Sequence, residues 1–215
     1  KNKLNANRFE AYLQDTWHFK SGNDSIPTLY TLNYGVRFSR WNFNGESIVS
    51  PRVSLSIVPS WNRNITFRAA TGLYYQAPFY KELRDTSTVN GITQATLNSK
   101  IKSQRSIHFI GSMDYRFNVM NRPFKFTAEA YYKAMSNLVP YSINNVQVVY
   151  YGENRCSGHT MGIDLNLFGE FVPGSDSWVT LSLMDTGMKL NGKSIPLPTD
   201  QKYAINMFFT DYFPG

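Results

Sequence analysis

The chain has 215 residues, a formal net charge of +7 and a single cysteine, and aromatic residues make up 15% of it. One cysteine excludes an internal disulfide and argues against a cysteine-based metal cluster. The 22 lysines and arginines are spread singly, without the dense basic block of a nucleic-acid-binding module, so nucleic acid is not an expected partner.

Alternation of apolar and polar residues predicts β-strands along the whole chain, with no helical period of useful length. The strands are expected to begin near residues 6, 28, 51, 65, 102, 123, 160, 179 and 203. We count nine or ten strands of roughly 9 to 15 residues, whereas strands of soluble proteins have a mode near 5 or 6. Strands that cross an outer membrane need about 9 to 11.

Two hairpins allow a register to be predicted. Around the turn at residues 60–63, Leu55 is expected opposite Phe67, with Ile57 opposite Ile65 and Val53 opposite Ala69. Around the turn at residues 118–122, Asn118 is expected opposite Pro123, which sets Arg116 opposite Lys125 and Asp114 diagonal to Lys125. Each hairpin then has one apolar and one polar face, and the polar face partly neutralises its own charge.

The connections alternate between short and long. Residues 60–63, 118–122 and 169–176 are short, whereas residues 76–99, 138–155 and 185–198 are long, and residues 146–151 fit a short strand inside the second long one. Such alternation is typical of outer-membrane barrels, which have short periplasmic turns and long extracellular loops.

Aromatic residues also gather near the predicted strand ends, as in the girdles at the two membrane interfaces of such barrels. A general preference of aromatic residues for strands would give part of the same pattern. The pairs are Trp17 and Phe19, Phe38 and Trp41, Tyr74 and Tyr75, Tyr115 and Phe117, and Phe168 and Phe171.

Four segments resemble the barrel of TonB-dependent outer-membrane receptors, most closely those of Bacteroidetes-type bacteria. They are SPRVSLSIVPSWNRNITFRAATGLYYQAPFYKEL at 50–83, SIHFIGSMDYRF at 106–117, HTMGIDLNLF at 159–168 and PTDQK at 198–202. The resemblance implies an all-β fold, an antiparallel transmembrane β-barrel of about 22 strands with a plugged lumen. Residues 1–215 would be part of that single barrel domain, without the plug domain and the last strands.

The same resemblance implies an active transporter in the Gram-negative outer membrane that imports a scarce, bulky ligand such as a siderophore, haem, cobalamin or a glycan. Its implied partners are outer-membrane lipid and lipopolysaccharide, TonB through the plug, the small-molecule or oligomeric ligand, and a surface lipoprotein.

No catalytic chemistry is expected. The three histidines, His18, His108 and His159, do not stand at metal-ligand spacing, and no nucleophile motif or convincing carboxylate pair is present. We therefore predict no enzyme activity, no metal and no cofactor.

Ligand contacts are expected in the long loops, where aromatic rings stand beside basic groups that could hold an anionic chelate or a sugar. These residues could equally serve only to fold the loops or to contact lipopolysaccharide. The two candidate clusters are Gln76, Phe79, Tyr80, Lys81 and Arg84, and Tyr150, Tyr151 and Arg155.

A second hypothesis is a soluble, secreted, β-rich binding protein such as a lectin-like sandwich. In a sandwich the apolar face of each strand would be buried against a second sheet. In a barrel the same face would meet lipid.

Overall fold

A computed structural model describes residues 5–23, 25–89, 92–195 and 200–210. It contains fourteen strands and one helical turn in this part of the chain. They are β1 (Arg8–Ser21), β2 (Thr28–Trp41), β3 (Glu46–Val58), β4 (Ile65–Gln76), α1 (Tyr80–Leu83), β5 (Arg84–Val89), β6 (Ile92–Leu97), β7 (Gln104–Val119), β8 (Arg122–Leu138), β9 (Tyr141–Asn144), β10 (Gln147–Tyr150), β11 (Cys156–Gly169), β12 (Ser177–Leu190), β13 (Lys193–Ile195) and β14 (Tyr203–Phe208).

Ten of these strands form one antiparallel sheet in the order β1-β2-β3-β4-β7-β8-β11-β12, with β13 and β14 both paired to the far side of β12. The strands β5–β6 and β9–β10 form two separate hairpins inside the long connections. The prediction of a sheet of about ten antiparallel strands is confirmed. Eight of them have 12 to 17 residues, whereas β13 and β14 have only 3 and 6. A lectin-like sandwich is not supported, because no second sheet packs on this one in the described residues.

Several predicted boundaries are wrong. The strand expected to begin near residue 51 begins earlier, because β3 starts at Glu46. The loop at residues 76–99 contains α1, β5 and β6. The third long loop was expected at residues 185–198. Instead, β12 continues to Leu190, and a turn at Asn191 and Gly192 connects it to β13. Both turn residues have positive φ, as a two-residue hairpin requires. Residues 196–199 lie outside the described residues.

The predicted register of the β3–β4 hairpin is wrong by two residues. Leu55 pairs with Ala69, and Phe67 pairs with Ile57. The connection at residues 59–64 is wider than expected, because Asn62 accepts a backbone hydrogen bond from Ile65 and the guanidinium of Arg63 donates to Pro27 O at 2.5 Å. A shift of two keeps every side chain on its face, so the face assignment survives.

The register of the β7–β8 hairpin is confirmed. Asn118 pairs with Pro123, and Arg116 pairs with Lys125. A two-residue turn at Met120 and Asn121, both with positive φ, fixes this pairing. The ammonium of Lys125 lies 3.2 Å from a carboxylate oxygen of Asp114, on the predicted diagonal.

The two faces differ in chemistry from β1 to β12. Directly paired residues lie on the same face of the sheet. The apolar residues of each strand therefore lie beside those of its neighbours, on one common face. The polar face carries cross-strand hydrogen bonds, such as that between Thr16 Oγ1 and Asn33 at 2.8 Å and that between Asn166 and Thr180 at 2.7 Å. On the apolar face, by contrast, exposed aliphatic and aromatic side chains predominate.

The connections at residues 59–64, 120–121 and 170–176 lie together at one edge of the sheet, which we call the turn edge. Here the apolar face carries a row of ring contacts with centroid distances of 5.2 to 5.8 Å. The row runs through Tyr115, Phe117, Phe124, Phe171 and Phe209. Trp17, Phe19 and Tyr30 form a second group, at 5.0 and 4.8 Å. Such a band matches the girdle predicted from the sequence at this edge.

The girdle prediction is wrong for several of its other members. Phe168 pairs with Lys125 and so lies on the polar face, apart from Phe171. Tyr74 also lies on the polar face, where its ring stacks on His108 at 4.2 Å. Trp41 is buried among the loops at the opposite edge of the sheet. An aromatic residue near a strand end therefore does not indicate by itself which face it occupies.

The β3–β4 register can be tested with engineered cysteine pairs in the full-length receptor with Cys156→Ser. Directly opposed residues have Cβ atoms about 4.5 to 5.5 Å apart, whereas diagonal neighbours are about 7 to 8 Å apart. We expect Leu55→Cys with Ala69→Cys to form a disulfide under mild oxidation, and Leu55→Cys with Phe67→Cys not to. Mass spectrometry of the digested protein measures both, and the reverse result would restore the register predicted from the sequence.

Candidate functional site

The long connections meet at the edge opposite the turn edge, which we call the rim. Trp41, Leu83, Ile101 and Val139 are buried together there, although they come from three different connections. Phe43, Leu97 and Tyr150 pack against this cluster. The first two predicted long connections thus lie together at one edge, as expected, and the rim has its own small hydrophobic core.

Glu46 ties two of the connections together. Its Oε2 accepts hydrogen bonds from the Ser103 hydroxyl at 2.6 Å and from the Ser103 backbone N–H at 3.0 Å. The side-chain amide of Asn44 donates to Ile101 O at 2.9 Å. Since charge-assisted bonds of this kind are stronger than neutral ones, they hold the end of the β4–β7 connection against β3.

The buried side chain of Glu82 holds the helical turn α1 in place through hydrogen bonds. It is only 3% exposed, and its carboxylate accepts bonds from Phe79 N at 2.8 Å and from the Gln104 amide at 2.9 Å. Burial raises the pKa of Glu82, and these two hydrogen bonds oppose the shift. α1 therefore sits over the end of β7 in a defined orientation.

The first predicted cluster surrounds α1. Gln76 is the last residue of β4, Phe79 precedes the helical turn and is 57% exposed, and Lys81 is exposed. Tyr80 is exposed within the turn, and Arg84 is exposed where β5 begins. All five residues are thus exposed at the rim, around α1.

The second predicted cluster is divided. The ring of Tyr150 packs on the rim core and lies 5.9 Å from that of Tyr141, so it supports the loop. Tyr151 is 62% exposed, and Arg155 pairs with the carboxylate of Glu153.

The two predicted clusters lie at the same rim. Leu83 of the first loop and Tyr150 of the second belong to one core, and the Asn98 amide donates to Gly152 O at 2.9 Å. The structure thus brings the loops together, while their role in binding stays a prediction.

Part of the charge on the polar face is paired. Asp114 is 1% exposed and receives the guanidinium of Arg68 at 2.7 Å, the ammonium of Lys125 at 3.2 Å and the hydroxyl of Thr127 at 2.9 Å. Arg37 pairs with Glu10 in the same way. These bonds link neighbouring strands and satisfy a carboxylate that would otherwise be costly to bury.

Three polar-face residues that were not predicted as site residues stand in one row. Arg52 pairs with Gly72, Gly72 with His108, and His108 with Lys133. The sequence shows each of them as an ordinary polar-face residue. Only the register of four strands brings them into line, so a sequence search by spacing does not find them.

A hollow of about 1040 Å³ lies over the apolar face of the sheet. Val53, Leu55, Phe109 and Ile163 are among its lining residues. The charged residues that line it are Lys202 and Asp185, and the ammonium of Lys202 lies 2.5 Å from a carboxylate oxygen of Asp185. A wall of this kind suits hydrocarbon rather than a polar ligand, so we place the candidate site on the rim and the polar face.

No group of three or more histidine, cysteine or carboxylate side chains is arranged to hold a metal ion in the described part of the chain. Among the same residues, no helix has the length and apolar character needed to cross a membrane. The expectation that the protein is not an enzyme stays a prediction.

A single antiparallel sheet of long two-faced strands, with short turns at one edge and packed loops at the other, defines a barrel wall of the outer-membrane type. The family model "TonB dependent receptor-like, beta-barrel" matches residues 1–215. The chain belongs to this family, which places it in the outer membrane of a Gram-negative cell. No curated protein matched the chain.

Two solved structures share the fold. Both are of the ferric enterobactin receptor PfeA, and one is a mutant from Pseudomonas aeruginosa in complex with enterobactin. Each aligns with a TM-score of 0.58 at 14% identity, over 85% of this chain. The chain spans 30% of the length of either structure. The Bacteroidetes type stays a prediction.

The buried Glu82 predicts a pH dependence of the rim. Because its pKa is raised in the folded loop from an ordinary value of 4.5, its stabilising contribution is complete below that value and is lost as pH rises through the folded value. We expect opening of the α1 segment to become easier over this window, and Glu82→Gln to abolish the trend. Hydrogen exchange corrected for intrinsic rates measures it.

Glu153→Gln is the matched control, because Glu153 is exposed in the neighbouring loop. It should leave the trend intact. An unchanged slope in Glu82→Gln would show that another group controls the rim.

Proposed function

We propose that the chain is one part of a single barrel domain of an active, TonB-dependent outer-membrane transporter. The observation that carries the proposal is the two-faced sheet in a chain that belongs to the receptor family along its whole length. The apolar face would meet lipid, including lipopolysaccharide at the rim side. The polar face would line a lumen closed by a plug, and TonB would act through that plug.

The ligand we favour is an anionic metal chelate of the siderophore class. Two features of the described residues support it. The polar face carries Arg52, Arg116 and Lys133 in addition to the cations that are paired with Asp114, and the rim exposes aromatic rings next to Lys81 and Arg84. PfeA, whose fold is similar, is named for a ferric siderophore. Haem, cobalamin and a glycan with a surface lipoprotein are the other ligands that the sequence left open.

We infer that the exposed residues of the rim, which we call the rim patch, make the first contact with the ligand. Phe79, Lys81 and Arg84 are exposed around α1, and Tyr151 and Arg155 are exposed on the neighbouring loop. Gln76 and Tyr80 would contribute polar contacts from the same side. Tyr150 would act by holding its loop on the rim core.

Uptake measured in cells that carry the full-length receptor tests the proposal. Radiolabelled ferric enterobactin, haemin, cobalamin and a labelled glycan are offered to cells with and without TonB. We expect one ligand, ferric enterobactin by preference, to accumulate only when both receptor and TonB are present. Accumulation of none of the four, or equal accumulation without TonB, would contradict the transporter.

The rim patch is tested in the same assay by a matched pair of variants. Phe79→Ala with Lys81→Ala and Arg84→Ala removes the patch, and we expect an apparent affinity loss of about tenfold or more, as for a few central interface contacts. Trp61→Ala with Met120→Ala removes exposed residues at the turn edge and should have no effect. Equal effects of the two variants on apparent affinity would show that the rim patch is not part of the binding site.

A further inference from the structure

We propose that Arg52, His108 and Lys133 form an anion-binding subsite on the polar face, inside the lumen and below the rim. It would bind a carboxylate or phosphate group of an oxygen-rich small molecule. The proposal deepens the transporter function proposed above, since it rests on the polar face lining a lumen. We call these three residues, which are two cations with an imidazole between them, the cation row.

The strand register brings the three residues of the cation row to the same height of the sheet. Arg52 on β3 and Lys133 on β8 lie at the same height of the sheet, with Gly72 and His108 between them on β4 and β7. Since neighbouring strands are about 4.8 Å apart, the two cationic residues have backbones about 14 Å apart. That separation fits a small molecule with more than one anionic group.

Side-chain stacking orients the row. The guanidinium of Arg52 lies 4.5 Å from the ring centroid of Tyr74, and the ring of His108 is stacked on Tyr74 at 4.2 Å. On the other side, the ammonium of Lys133 lies 5.1 Å from the ring of Tyr131. Cation–π contacts hold a cation in place while leaving its hydrogen-bond donors for another partner.

The charge of the row is uncompensated. In the described residues no carboxylate lies within salt-bridge distance of Arg52 or Lys133, whereas Arg37, Arg68 and Lys125 on the same face each have one. Among the same residues Arg116, nearer the turn edge, also lacks one. Two neighbouring cations of the row without a counter-ion are complementary to an anion.

The space beside Arg52 is open. A hollow of about 540 Å³ lies over the polar face, with Arg52 and Tyr74 in its wall. Gly35, which pairs directly with Arg52, lines this hollow and has no side chain to fill it. Tyr12, Gln14, Asn33 and Ser50 also line the hollow and supply hydroxyl and amide groups for ligand oxygens.

Gly72 is required by the same arrangement. A Cβ atom there would lie 3.0 Å from Arg52 Cγ and 3.0 Å from a ring carbon of Tyr74. Both side chains thus lean over Gly72, and the Tyr74 ring contacts both Arg52 and His108. A larger residue at this position would push Arg52 away from the row.

Isothermal titration of the purified full-length receptor with citrate tests the subsite. We expect the wild-type protein to bind citrate, and Arg52→Gln to weaken binding by about tenfold or more, the effect of losing a hydrogen-bonded charge. Lys133→Gln should weaken it by a smaller factor, and Arg52→Lys should retain part of the affinity. The lysine variant keeps the test valid if Arg52→Gln folds poorly.

Arg105→Gln is the matched control. Arg105 is three residues before His108 on β7 and on the opposite face, where it donates to Ser136 Oγ at 2.9 Å. Its loss removes the same charge and should leave citrate affinity unchanged within about twofold, because exposed charges at this distance are screened. No citrate binding to the wild type, or an equal loss in Arg105→Gln, would overturn the proposal.

Arg52 could instead hold a carboxylate of a plug domain. In that case Arg52→Gln would leave citrate affinity unchanged and would speed limited proteolysis of the plug, which overturns the small-molecule subsite. The titration needs neither TonB nor uptake. A receptor that binds citrate through Arg52 but fails in the transport assay would therefore contradict only the transporter.

Discussion

The structure depends on one constraint, the register that keeps each side chain on the same face as its partners across ten strands. Backbone hydrogen bonds between neighbouring strands fix that register, and in hydrocarbon those bonds have no substitute from water. Because side chains alternate with period 2, a slip of one residue anywhere would bring Asp114 or Arg52 onto the apolar face and Leu55 onto the polar one. The transport function we propose requires that this separation of faces be maintained.

Buried and half-buried carboxylates have different roles in the two regions. At the rim, Glu46 and Glu82 accept hydrogen bonds from Ser103, Phe79 and Gln104, and they orient connections that would otherwise be held only by a small apolar core. On the polar face, Asp114 joins β4, β7 and β8 through Arg68, Thr127 and Lys125. Arg52 and Lys133, by contrast, have no carboxylate partner among the described residues, and they supply the charge of the proposed subsite.

Much of the fold could be predicted from the sequence, because the alternation is local. The β7–β8 register was predicted correctly since its turn has two residues, which leaves one pairing. The β3–β4 register was wrong because residues 59–64 form a wider connection, yet the error of two preserved the faces. The rim core and the cation row could not be predicted in this way. Trp41, Leu83, Ile101 and Val139 meet only after three connections fold over one edge, and Arg52, His108 and Lys133 align only after four strands pair.

The central claim is that the apolar face meets lipid and the polar face lines the lumen. Nitroxide labels on single cysteines in the full-length receptor, with Cys156→Ser, test it in a bilayer. The account predicts that labels at Leu55, Phe109 and Ile163 collide more with lipid-soluble oxygen than with a water-soluble nickel chelate. Labels at Ser54, Ser112 and Asp164 should show low oxygen accessibility. Equal accessibility at the two sets, or the reverse order, would contradict the account.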